Sequence, residues 1–167
     1  MGKRRGYKTL HPIERDAAIY FAGLFDGEGC VCLAEYHPRY GGKGQVSPYF
    51  RAQMSVSNTH HGVLLHIQRT IGGIIGKPVH RGKPRRPLWR WSAASRESAH
   101  IIRHILPFLV IKKQQALLLL EFHESVQDYI HLPHPGNLGC PQQTPAEIER
   151  RRRYLKRMQA LNHAVSV

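Results

Sequence analysis

The run Phe21-Ala22-Gly23-Leu24-Phe25-Asp26-Gly27-Glu28-Gly29 joins an apolar, helix-like pattern to two carboxylates separated by one glycine. A helix with small residues such as Ala22 and Gly23 lets another backbone approach closely. An acid at the C-terminal end of such a helix is unfavourably placed, because that end carries partial negative charge. Something positive must sit beside it, and a metal ion would serve.

The surrounding segments alternate between helical and extended patterns. Pro12 is a favoured first-turn residue, with Glu14 and Asp16 close behind, so a first helix is expected from near Pro12 to about Gly27. Ala18 and Ala22, spaced i,i+4, share a face. Cys30 to Tyr36 reads as a strand, and Pro38 to Pro48, rich in glycine, as a turn or loop. From Tyr49 to Ser57 the chain alternates: Phe50, Ala52, Met54 and Val56 on one face, Tyr49, Arg51, Gln53, Ser55 and Ser57 on the other. That is a strand with one buried and one wet face. Asn58 or Thr59 can cap a second helix that Gly72-Gly73 ends. Ile74 to Arg81 and Leu88 to Ala93 form a second strand pair around a basic turn with Lys83, Arg85 and Arg86. Ser95 caps a third helix, Ile111 to about Tyr129 forms a fourth, and Thr144-Pro145-Ala146-Glu147 opens a last one. Two hairpins set among helices define an α+β class with a mostly antiparallel sheet. The expected organisation is one domain over 1–167, with a core over about 12–130, a loop over 131–143 and a C-terminal helix over 144–163.

The 167 residues hold 25 Lys and Arg against 11 Asp and Glu, a formal net charge of +14. Such an excess in a small protein points to a polyanionic partner, most simply nucleic acid. The longest apolar run, Ala116 to Leu120, is too short to span a bilayer. Three cysteines, an odd count, and no signal peptide fit a reducing intracellular compartment, cytoplasm or organelle, rather than secretion. Cys30 and Cys32 share a strand face with Ala34 and Tyr36, the face expected to match the polar side of Tyr49 to Ser57, and read as small packing residues rather than ligands. His131, His134 and Cys140 share one loop, but their spacing fits no standard zinc finger.

The Phe21–Gly29 run resembles the signature motif of LAGLIDADG homing endonucleases. Ala22, Gly23, Leu24, Asp26 and Gly29 match it letter for letter, and Glu28 stands where the motif ends in Asp. The α-β-β-α-β-β-α order over Pro12 to Leu106 is that of the family. The segment Pro107-Phe108-Leu109-Val110-Ile111-Lys112 looks like its Pro-Phe-Leu-x-x-Lys stretch. The resemblance covers about Pro12 to Leu120.

The resemblance implies a site-specific endonuclease that cuts both strands of a long pseudo-palindromic double-stranded DNA target. One motif implies a homodimer, paired through Ala18, Ala22 and Gly23, whose saddle-shaped sheets lie on DNA. Glu28 is then the ligand of a divalent cation, Mg²⁺, with the Gly27 carbonyl beside it. Asp26 serves the helix end. Lys112, with Lys113 as its neighbour, is the basic residue near the reacting phosphate, and Asn58 orients water. His60 and His61 read as surface residues at a helix start. DNA contacts are expected from Cys32, Tyr36, Arg39, Lys43, Tyr49, Arg51, Gln53 and Ser55 of the first hairpin. Lys77, Arg81, Lys83, Arg86 and Arg90 are their counterparts in the second. Arginine suits guanine and glutamine suits adenine in the major groove. Lys83, Arg85 and the Arg150–Arg153 run suit phosphates, or a solvated helix face. The Trp89 and Trp91 face reads as core. A cleavage-inactive relative, such as an intron splicing cofactor or a transcription regulator, is the alternative.

Overall fold

The computed structural model describes residues 10–37, 48–79, 86–131 and 143–164, without the side chains of 127–131. The order is α1 (Arg15–Glu28), β1 (Gly29–Tyr36), β2 (Tyr49–Asn58), α2 (His61–Ile71), β3 (Ile74–Ile75), β4 (Trp89–Ala94), α3 (Arg96–Ile105), a 3₁₀ turn (Leu106–Phe108), α4 (Lys113–His131) and α5 (Pro145–Ala164). The class is α+β, and the sheet is antiparallel throughout, in the spatial order β1-β2-β4-β3.

Helix α1 forms because Ala18, Phe21, Ala22 and Phe25 recur at helical spacing on one side, and all four are buried. It begins at Arg15, three residues after Pro12, with Glu14 at the cap position and no side-chain cap bond. The two Phe rings continue into the core, where Phe21 meets Trp91 edge-on at 5.0 Å between centroids. Trp91 is fully buried, and its Nε1 donates to the Gly72 carbonyl at 2.8 Å. A side chain at Gly73 would start 2.5 Å from that nitrogen, and Gly72 and Gly73 have φ of 94° and 84°. Gly72-Gly73 thus ends α2, as the sequence predicts, and seats the tryptophan.

Other boundaries also differ from expectation, α4 starting at Lys113 rather than Ile111 among them. The α2 cap is His60, whose Nδ1 accepts from the Val63 amide at 3.2 Å, rather than Asn58 or Thr59. Asn58 instead accepts from the His60 amide through Oδ1 at 2.8 Å and shapes the turn before it. The β3 strand spans only Ile74–Ile75, followed by a single bridge between Val79 and Leu88.

Helix α5 packs on β1 and α4. Its Asn162 Nδ2 donates to the Val31 carbonyl at 2.9 Å, and Arg152 reaches Glu35 of β1 at 2.8 Å. The helix thereby covers the outer edge of a strand that would otherwise present unpaired backbone groups.

Candidate functional site

The site is built from the end of α1, the loop after the 3₁₀ turn, and one face of the sheet. In antiparallel strands, directly opposed residues share a face. The register sets Cys30 opposite Ser55, Cys32 opposite Gln53, Ala34 opposite Arg51 and Tyr36 opposite Tyr49. It continues through Ser55 to Ser92 and Ile74, and through Ser57 to Arg90. All of these lie on the side away from Val31, Ala52, Met54, Val56 and Trp91, which are buried. The polar face read from the sequence exists as one continuous surface. Tyr36 and Tyr49 stack at 5.0 Å on it, and Arg90 Nε donates to Ser57 Oγ at 3.3 Å. Lys77 and Arg86 are exposed beside β3 and β4. Arg39, Lys43, Arg81, Lys83 and Arg85 lie outside the described residues.

Cys30 and Cys32 belong to this open face, not to the core: Cys30 is exposed and Cys32 half-exposed. A hydrogen bond from Cys32, with the nearby charges of Arg90 and Lys112, lowers the Cys30 thiol to about 6 against the opposing effect of burial. Cys32 is pushed the other way by that same bond.

At the end of α1 the two acids part company. Asp26 is 9% exposed. Its carboxylate accepts from the Val110 amide at 2.7 Å and the Lys112 amide at 2.9 Å. The Lys112 ammonium donates to the Asp26 carbonyl. A cation therefore sits on the negative end of the helix, as the dipole favours. Asp26 serves the helix end, and Lys113 points to solvent at the start of α4. Glu28 is exposed, and among the described residues it has no hydrogen-bond or ion-pair partner. The Gly27 carbonyl lies in the last turn, beyond which no helical amide follows to satisfy it. Gly29 pairs with Val56, so Asn58 lies two residues further along β2, toward the same end of the sheet.

Glu28 and a terminal helix carbonyl are hard oxygen donors, suited to Mg²⁺, which keeps several waters and takes one or two carboxylates. Among the described residues, no three His, Cys, Asp or Glu converge on a metal-sized site. One chain offers a single open carboxylate there.

Of the three residues expected at a pairing surface, two are buried within the chain and Gly23 is exposed. Ala18 is 2% and Ala22 0% exposed, both inside the chain's own core. The exposed side of α1 carries Ile19, Tyr20, Gly23, Gly27 and Glu28. A side chain built at Gly23 or Gly27 would meet nothing within 4 Å. The sequence signal for this phase was present: Phe21 and Phe25 mark the core side, and Gly23 and Gly27 lie at i,i+4 on the other.

The arginines of α5 are engaged within the chain. Glu147 accepts from Arg150 at 2.7 Å and Arg151 at 2.6 Å, and Arg152 pairs with Glu35. Burial raises the Glu147 carboxyl, but the two arginines outweigh it and leave it below the ordinary range. Of the four arginines of this run, only Arg153 is exposed with no ion pair among the described residues.

No family model matches the chain, and no curated protein matches it in sequence. Solved structures do match. The archaeal intron-encoded homing endonuclease I-Vdi141I complexed with DNA superimposes with a TM-score of 0.64 at 18% identity, over 92% of this chain and 95% of its own. The homing endonuclease I-CvuI, in complex with its target in the presence of calcium, gives 0.56 at 21% identity, over 87% and 96%. The meganuclease I-SmaMI bound to uncleavable DNA gives 0.63 at 16% identity, over 84% of this chain but 44% of its own. The chain has the fold of the LAGLIDADG homing endonucleases.

Proposed function

We propose that this chain, one LAGLIDADG fold with one motif, is a homodimeric, divalent-metal-dependent homing endonuclease that cleaves double-stranded DNA at a long pseudo-palindromic site. The observation that carries the reading is the contrast at the motif. Of two acids two residues apart, Asp26 is fully engaged in structure and Glu28 stands open at the junction of α1 and the polar sheet face.

In this reading the sheet face lies in the major groove, which admits a two-stranded ribbon. Arg51, Gln53 and Arg90 meet base edges. Two copies pair through the exposed side of α1, where Gly23 and Gly27 allow close helix approach, in place of Ala18 and Ala22. That pairing sets the two Glu28 carboxylates side by side. Their repulsion would disfavour ionisation unless a cation joined them. Glu28 and the Gly27 carbonyl would hold Mg²⁺, which would supply charge neutralisation at the cleaved phosphodiester and a more acidic bound water. Lys112, already fixed to the Asp26 carbonyl by one proton, keeps two donors for a phosphate oxygen or the attacking water. Asn58, at the strand end, orients that water.

The test of assembly is Gly23→Leu. A Cβ added there meets nothing within 4 Å, and removing a mid-helix glycine raises helix stability by about 0.5–1 kcal/mol. The expected result is an unchanged or higher melting temperature, a halved mass by light scattering, and loss of cleavage. A variant that remains dimeric and cuts DNA would refute pairing through this face.

A further inference from the structure

Ile74 is 55% and Val79 56% exposed, and both lie on the polar side of the sheet, with Arg90, rather than in the core. Single exposed apolar residues are ordinary on protein surfaces. These two are set apart by convergence: with Leu88, they supply the apolar lining of an open cleft of about 290 Å³ that Ser57, Lys77 and Arg90 also line. The register explains the cleft. Ile74 opposes Ser92 on β4, the Gly76 amide donates to the Arg90 carbonyl at 2.9 Å, and Val79 bridges to Leu88. Between these points β3 leaves the ladder, and Gly76, which has no side chain, opens the floor. The other large exposed side chains on this face, Tyr36 and Tyr49, stack on each other. Ile74 and Val79 keep their apolar surface toward the cleft.

The surface around the cleft is cationic, and the chain's net charge is +14. Arg90 is exposed and braced through Nε by Ser57, and its terminal nitrogens, a planar two-donor fork, have no hydrogen bond among the described residues. An apolar wall beside such a fork matches one feature of the major groove. The 5-methyl group of thymine is the apolar mark there among the unmodified bases, and it lies on the same edge as the guanine acceptors.

We propose that Ile74 and Val79 form a thymine-methyl subsite, reading a T·A pair next to the base pair that Arg90 addresses. The proposal rests on the DNA-binding reading above and adds a base identity to it. Both side chains are more than half exposed, so truncating them leaves the core untouched.

The full chain would select its preferred duplex from a randomised library, and each thymine of that duplex would then be replaced by deoxyuridine, which removes the methyl and keeps every hydrogen bond. The expected result is one position per half-site where the replacement weakens binding about fourfold, the worth of one buried methyl. The Ile74→Ala/Val79→Ala double variant should bind the thymine and uracil forms of that position equally. Full affinity for every uracil-substituted duplex would overturn the subsite, and so would a double variant that kept the discrimination. A chain that enriched no sequence would overturn the functional reading and the subsite together, a result distinct from enrichment without methyl dependence.

Discussion

The sheet face and helix α5 are both rich in arginine, and they differ in what those arginines touch. On the sheet, Arg51 has no ion pair among the described residues and Arg90 is held only by a serine hydroxyl, so the positive field opens to solvent. On α5, Glu147 joins Arg150 and Arg151, Glu35 joins Arg152, and Glu121 joins Arg157 at 3.0 Å. Much of that helix's charge is cancelled inside the fold. The contrast shows that a basic run in sequence marks a binding surface only where no acid from elsewhere in the chain arrives to meet it. Glu35 and Glu121, distant in sequence, convert α5 from a candidate phosphate contact into a brace along β1 and α4.

The sharpest way to break this contrast is at Glu147. Glu147→Ala removes the carboxylate from Arg151, which is 6% exposed, and loss of one partner of a buried ion pair costs about 3 kcal/mol. Urea unfolding should show that loss, with DNA affinity of the folded protein unchanged. Weaker binding at unchanged stability would make α5 a DNA surface after all. Next in size, Arg51→Ala and Arg90→Ala should each weaken specific binding by about 1–3 kcal/mol and relax the preference at one base pair. Their unfolding midpoints should stay within about 0.5 kcal/mol of the parent. Equal weakening on every sequence would demote them to phosphate contacts.

Acid should act on the α5 side with a smaller effect. Arg152 holds the Glu35 carboxyl below its usual range, Arg157 does the same to Glu121, and Glu147 is lowered as well. A carboxylate with a lowered folded-state pKa adds stability that is complete at neutral pH. That stability falls away as pH drops below about 4. Thermal melts of Glu35→Gln should lose part of the parent's acid sensitivity, and an unchanged pH profile would show that the Arg152 contact carries none of it.

Much of the architecture was legible in sequence, because the apolar periods change cleanly between helix and strand. Tyr49 to Ser57 and the Gly72-Gly73 stop show this most plainly. The motif and the Pro107 to Lys112 segment meet through Asp26, whose carboxylate holds the Val110 and Lys112 amides. The face of α1 was misjudged because Ala is small enough to serve either a core or an interface. Only the phase of Phe21 and Phe25 separates the two uses. The α5 pairings were hidden for a different reason: they depend on where β1 and α4 place Glu35 and Glu121, which no local pattern encodes.

The central claim is that Glu28 holds the metal and takes no part in the fold. Glu28→Gln keeps size and hydrogen-bonding capacity but removes the charge, and it disturbs no contact made by the described residues. Cleavage of the selected duplex with Mg²⁺ should fall below detection while binding and melting temperature match the parent. Cleavage at the parent's rate by that variant would contradict the account.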